Sequence, residues 1–207
     1  APHTPAPAHT KKVKPGDPPW EKAARSKKGA CPMVVLLTGS SHTGKTLLAQ
    51  RLLERLHWPF LSIDHLKMGL IRSGLCPLTP ESPDAQLTAF LWPVVREMVK
   101  TAIENRQNLI VEGCYIPFDW KQDFEEEYLK EIRYLCLVMS REYIENHFED
   151  IKKYASTIEQ RLEEDYSKED AVLDNAEYLA GCRQFGCPYY EISDHYPVDE
   201  LWRQWCS

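Results

Sequence analysis

The chain has 207 residues, is 43% hydrophobic and carries a formal net charge of −6. That length suits one domain, or one domain with an extension, and the apolar share is enough for a real core. No run of about 18 apolar residues occurs, which argues against a membrane-spanning helix, and the acidic balance disfavours general nucleic-acid binding.

The charge is unevenly spread. Residues 1–30 hold seven Lys/Arg against two acids, or +5; the rest holds 18 against 29, or −11. The opening stretch, APHTPAPAHTKKVKPGDPPW, has almost no large apolar residue and cannot bury enough surface to offset ordering. Residues 1–30 are therefore expected to be a disordered, basic, Pro-rich linker or tail, and residues 31–207 the folded domain. The tail lacks the apolar centre of a secretory signal. An upstream domain joined through residues 1–30 stays open. The seven Cys are scattered without a C-x-x-C pair, so reduced thiols in a cytoplasmic compartment are expected.

From residue 33 the pattern alternates between short apolar runs and helical periods. MVVLLT (33–38) reads as a buried strand. GSSHTGKT (39–46) follows it and opens a helix with Leu48, Leu52, Leu53 and Leu56 on one face. PFLSI (59–63) reads as a second strand, and DHLKMGLIRSG as a short helix stopped by Gly74. LCPLTPESPD is a loop with three prolines. A long helix with Leu87, Phe90, Leu91, Val94, Met98 and Ala102 at helical spacing comes next. Pro93 predicts a kink in it, or a start near Trp92. NLIVEG (108–113) is the third strand and IRYLCLVM (132–139) the fourth. A charged helix follows in SREYIENHFEDIKKY. KEDAVLDNAEYLAGCRQFG is another helix, ended by Gly186. YYEIS (189–193) is the fifth strand, and a short terminal helix carries Trp202 and Trp205. Five buried strands separated by helices imply an α/β domain with a parallel sheet covered on both faces. Such sheets bind ligands at the carboxyl ends of their strands.

GSSHTGKT fits G-x-x-x-x-G-K-[ST] without a mismatch, between a strand and an amphipathic helix. Gly39 and Gly44 let the backbone approach anionic oxygens. The N–H groups of Ser40, Ser41, His42, Thr43, Gly44, Lys45 and Thr46, with the helix N-terminus, present positive potential. Lys45 is expected to reach the β- and γ-phosphates and Thr46 to ligate Mg²⁺. His42 is expected to contact phosphate through its main chain, with its side chain exposed. Glu112, closing the third strand, is the candidate for a water-mediated Mg²⁺ contact. Asp64 opens the helix after strand two. It either caps that helix or orients the acceptor and accepts its hydroxyl proton. Lys67, Arg72 and Arg96 are candidates for neutralising an anionic acceptor. In HFEDIKKYASTIEQRLEEDYS, Arg161 is the candidate cation of a mobile lid.

These residues resemble the P-loop small kinases, which include adenylate kinase and the 2-phosphoglycerate-kinase-like and zeta-toxin-like proteins. The resemblance spans about residues 33–196. GSSHTGKT carries most of it; SIDHLKMGLIRSG is similar to the acceptor-binding helix, LIVEG to the third strand, and MSREYIENHF to the segment after strand four. His147 stands where a lid arginine is expected, and GCYIPFDW replaces a Gly-Phe-Pro-Arg stretch. The resemblance implies a P-loop NTPase three-layer sandwich with strand order 2-3-1-4-5 and a small helical lid. It also implies Mg²⁺ dependence and an acceptor site over Asp64. The expected function is transfer of the ATP γ-phosphate to a small acceptor, either a nucleoside monophosphate or another metabolite. Two alternatives stay open: a nucleotide-binding switch or accessory domain, and a polynucleotide or toxin-type kinase. No guanine-reading N-K-x-D motif occurs, which favours ATP over GTP.

Overall fold

The computed structural model describes residues 33–155, 166–196 and 198–201. The tail at residues 1–30, the lid candidate Arg161, Trp202 and Trp205 lie outside the described residues. Five strands form one sheet in the order β2-β3-β1-β4-β5. They are β1 (Val34–Gly39), β2 (Phe60–Ser62), β3 (Leu109–Glu112), β4 (Ile132–Met139) and β5 (Tyr189–Ile192). Every neighbouring pair is parallel.

Parallel neighbours need crossovers, and the helices that make them cover both faces. This is why the central β1 reads as an unbroken apolar run. Within β1, Val34 and Leu36 join one core while Val35 and Leu37 join the other. The second core packs Leu48, Ala49 and Leu52 of α1 (Lys45–Leu56) against the sheet. The first packs Leu87, Leu91, Val95 and Val99 of α3 (Asp84–Glu104) against the opposite face. Between them in sequence lies α2 (Ile63–Arg72), which starts directly from the last residue of β2.

Pro93 neither starts nor ends α3; the helix begins at Asp84 and continues through Pro93 to Glu104. Proline deprives the carbonyl four residues earlier of its donor. Here Pro93 and Ala89 both lie on the exposed face, so water can satisfy that carbonyl while the buried face holds the helix in place.

The stretch between β3 and β4 folds into a 3₁₀ turn (Trp120–Asp123) and α4 (Glu126–Leu129). Neither was assigned from sequence. The turn is anchored by Trp120, stacked on Tyr134 with ring centres 5.5 Å apart. Asp123 accepts from Trp92 Nε1 at 2.7 Å and from Arg96 at 3.0 Å.

After β4, α5 (Arg141–Ala155) leaves helical geometry at His147. Next comes α6 (Lys168–Phe185), opened by a capping box between Ser167 and Asp170 and closed by Gly186. The last described helix is α7 (Val198–Leu201). The five described cysteines are free thiols. Among the described residues, no helix is long and apolar enough to cross a membrane.

Candidate active site

Strand register sets the frame. Leu37 of β1 pairs with Glu112 of β3, Ser62 of β2 pairs with the same Glu112, and Gly39 pairs with Leu137 of β4. The carboxyl ends of the central strands are therefore level. The 39–46 loop leaves from the middle of that edge.

The loop can turn there because of its glycines. Gly39 has φ +142°, and a Cβ on it would lie 2.1 Å from the carbonyl oxygen of Leu137; Gly44 has φ +80°, and its Cβ would meet the Tyr196 hydroxyl at 2.4 Å. Both positions demand glycine on conformation and on space. His42, at φ +61°, is a third left-handed residue in the loop. Alternating hands of this kind make concave backbone nests that hold anions.

Inside the loop, Ser40 carbonyl oxygen accepts from Lys45 Nζ at 2.7 Å and from Thr43 Oγ1 at 2.9 Å. Lys45 is only 6% exposed, so its ammonium is held within the loop rather than in bulk water. Thr46 follows, with its hydroxyl donating to Glu112 Oε2 at 3.3 Å. The structure thus brings together two residues 66 positions apart in sequence, both nominated for the metal. A hydroxyl beside a carboxylate suits a hard cation that takes few protein ligands and completes its shell with phosphate and water. No group of three or more metal-ligating side chains occurs among the described residues.

Three supports were not legible as site residues. Asn175 of α6 is 3% exposed. Its Oδ1 accepts from the backbone N–H of Met139, and its Nδ2 donates to the Ala171 carbonyl and to Ser40 Oγ. It ties the loop, the end of β4 and α6 together. Its sequence signal was a polar residue at core spacing, on the face that buries Ala171, Val172 and Cys182. Asn175→Ala is expected to cost about 1–3 kcal/mol, because the buried Met139 N–H loses its acceptor; urea unfolding measures this. The second support is Tyr196, whose hydroxyl donates to the Gly44 carbonyl at 2.6 Å. The third is Tyr166. Its ring packs 4.7 Å from that of His42, and its hydroxyl donates to Asp174 at 3.0 Å. The His42 side chain is therefore half-buried against Tyr166 rather than exposed as expected.

On the other side of β3, Asp64 lies in the first turn of α2 but does not cap it; the N-cap residue is Ser62, and no side-chain cap bond forms. Asp64 pairs with Lys67 at 2.8 Å, and Lys67 also donates to the Tyr115 hydroxyl at 2.8 Å. Burial opposes the charge on Lys67, yet the bonds to Asp64 and Tyr115 outweigh it and hold its pKa above the ordinary range. Burial pushes the Tyr115 phenol up to about 12. Cys114, beside it, is raised by desolvation despite lying within hydrogen-bond reach of Lys45. Cys114 thus lies within electrostatic reach of both Lys45 and Asp64. Of the other cations nominated for the acceptor, Arg96 is bonded to Asp123, and Arg72 is exposed in the last turn of α2.

Among solved structures, the chain is similar to a candidate kinase from Chloroflexus aurantiacus. That match has a TM-score of 0.54 and 21% identity and covers 86% of this chain and 97% of the other. A gluconokinase from Sinorhizobium meliloti is also similar, with a TM-score of 0.50 and 15% identity, covering 84% of this chain and 89% of the other. The chain shares the fold of these structures, an α/β domain on a five-stranded parallel sheet in the order β2-β3-β1-β4-β5. Within that fold, the Gly39–Thr46 loop, Glu112 and the Asp64 pair occupy the strand ends where ligands bind. No protein-family model and no curated protein sequence matches the chain.

Proposed function

We propose that the protein is an ATP-dependent phosphotransferase that moves the γ-phosphate to a hydroxyl of a small acceptor, in a reducing, cytoplasmic compartment. The observation that carries this reading is the convergence at one sheet edge of the Lys45–Thr46 loop, Glu112 at 3.3 Å from Thr46, and the Asp64–Lys67 pair. The loop backbone and Lys45 hold the triphosphate. Thr46 and Glu112, 3.3 Å apart, would hold Mg²⁺, which would supply charge neutralisation at the phosphates.

Asp64 accepts the proton of the acceptor hydroxyl. The acceptor oxygen forms a bond to the γ-phosphorus, the bond from that phosphorus to the β,γ-bridging oxygen breaks, and ADP leaves. Lys67 orients Asp64 through their 2.8 Å ion pair. The protein forms no covalent intermediate; positioning and charge stabilisation do the work. The −11 balance of residues 31–207 supports a small acceptor over a long polyanion.

The test is ATP turnover by the full chain with Mg²⁺, alone and with a pool of small hydroxyl metabolites. Strong stimulation by an acceptor, with labelled phosphate recovered on it, is the expected result. Turnover indifferent to every acceptor, together with nucleotide-dependent binding of another protein, would point to a switch domain instead.

A further inference from the structure

Among the described residues, three that are not glycine take the left-handed backbone conformation: His42, His57 and Arg106. His57 is the C-cap of α1, and Arg106 follows Asn105, the C-cap of α3. A left-handed turn is common just past a helix end, because it brings backbone donors to the freed carbonyls. The N–H of His57 bonds the Leu53 carbonyl at 2.8 Å, and that of Arg106 bonds the Ile103 carbonyl at 2.9 Å. His42 has no helix before it; it follows β1, at φ +61°, inside the 39–46 loop. That conformation crowds Cβ against the backbone, so a residue with a side chain keeps it only where its surroundings hold it there.

Tyr166 lies against His42. The ring centres are 4.7 Å apart and the planes are tilted by 52°. Both side chains are half-buried. Tyr166 is itself fixed from two sides. Its hydroxyl donates to Asp174 Oδ2 at 3.0 Å, and its ring packs against the core of Met139, Ile144, Phe148 and Val172. It directly precedes Ser167, whose capping box with Asp170 opens α6. Moving position 42 to negative φ would swing its Cβ away and carry the imidazole off the Tyr166 ring. The ring contact therefore favours the left-handed turn on which the concave shape of the loop depends. Two positions earlier, Asn175 of the same helix holds Ser40 Oγ at 3.2 Å, so α6 bears on the loop twice.

Resting on the kinase reading, we propose that Tyr166 is a positioning residue for nucleotide binding, whose ring holds His42 left-handed and so keeps the phosphate loop in its anion-receiving shape before the nucleotide arrives. Tyr166 acts through His42 and touches no substrate. What it sets is the fraction of molecules whose loop is ready, and apparent affinity scales with that fraction.

The experiment measures the Kd of ATP with Mg²⁺ by calorimetry on the full chain in two backgrounds, the parent and His42→Gly. Glycine takes the left-handed conformation unaided, so the ring should matter in the first background and not in the second. Tyr166→Leu is expected to weaken ATP binding by about fivefold to tenfold in the parent. In His42→Gly the same change should alter it by less than about twofold. Tyr166→Phe keeps the ring and loses the bond to Asp174, and should bind close to the parent. His42→Ala leaves Tyr166 and its core contacts whole, and should lose about as much affinity as Tyr166→Leu even where the latter folds poorly. In turnover, Tyr166→Leu should raise the KM for ATP with kcat nearly unchanged. A thermal melt run alongside reads the packing of the ring on its core, which should be the same in both backgrounds. Equal losses of affinity in the two backgrounds overturn the inference while the kinase reading stands. So does a lowered melt with affinity intact, a His42→Ala variant that binds as the parent does, or a Tyr166→Phe variant as weak as Tyr166→Leu. Failure of the parent to bind ATP overturns the kinase reading, and the inference with it.

Discussion

Lys45→Ala is expected to cut phosphoryl transfer by about a hundredfold or more while the protein still folds. The two halves of that expectation have separate physical grounds. The loss of activity follows from position: the ammonium sits inside the 39–46 loop, 6% exposed and 2.7 Å from the Ser40 carbonyl. A charge so desolvated acts on a phosphoryl group far more strongly than it would in water. Survival of the fold follows from redundancy: the Ser40 carbonyl also accepts from Thr43 Oγ1 at 2.9 Å, so truncation leaves it with a partner. The Asn175 bond to Ser40 Oγ and the Tyr196 bond to the Gly44 carbonyl are untouched. Labelled-phosphate transfer beside a thermal melt separates the two halves. Unchanged turnover with an unchanged melt would remove this loop as the reaction centre. Lys45→Arg should fare little better, since so enclosed a space has no room for the broader, planar guanidinium.

The sheet was legible because it is parallel. A strand buried on both faces is apolar along its length, so β1, and β4 beyond its exposed Arg133, appear in the sequence as continuous runs. The loop was legible because glycine at 39 and 44 is a steric necessity that leaves a fixed spacing. What stayed hidden depends on pairing between distant positions. Nothing local in DNAEYL marks Asn175 as the acceptor for Met139, 36 residues away. Nothing in HYP marks Tyr196 as a support of Gly44, 152 residues earlier. Arg96 looked available until Asp123 was brought beside it by a 3₁₀ turn with no periodic signature. Pro93 misled only as a possible helix start: the helix runs through it from Asp84, and on an exposed face water can satisfy the carbonyl that proline leaves without a donor.

Asp64→Asn offers the sharpest separation of chemistry from architecture. In the sequence this residue could be read as a helix cap. The structure puts Ser62 at the cap position and Asp64 within the first turn, its carboxylate bonded to Lys67 and 29% exposed. Asparagine keeps the size and removes the charge, and Lys67 keeps its bond to the Tyr115 hydroxyl. The stability lost should therefore be small, about 1 kcal/mol, from the partly exposed pair and the first-turn carboxylate at the helix N-terminus. The catalytic loss should be much larger. A hydroxyl attacking phosphorus must shed its proton, and a positioned base at that step contributes about a hundredfold or more. ATP affinity should hardly change, because the 39–46 loop proposed to hold the triphosphate lies at the end of β1, across β3 from Asp64. The expected pattern is thus a fall in kcat for transfer, near-constant nucleotide binding by calorimetry, and a melt within a few degrees of the parent. A lowered melt with transfer intact would assign Asp64 to the stability of α2 and leave the acceptor proton to another group.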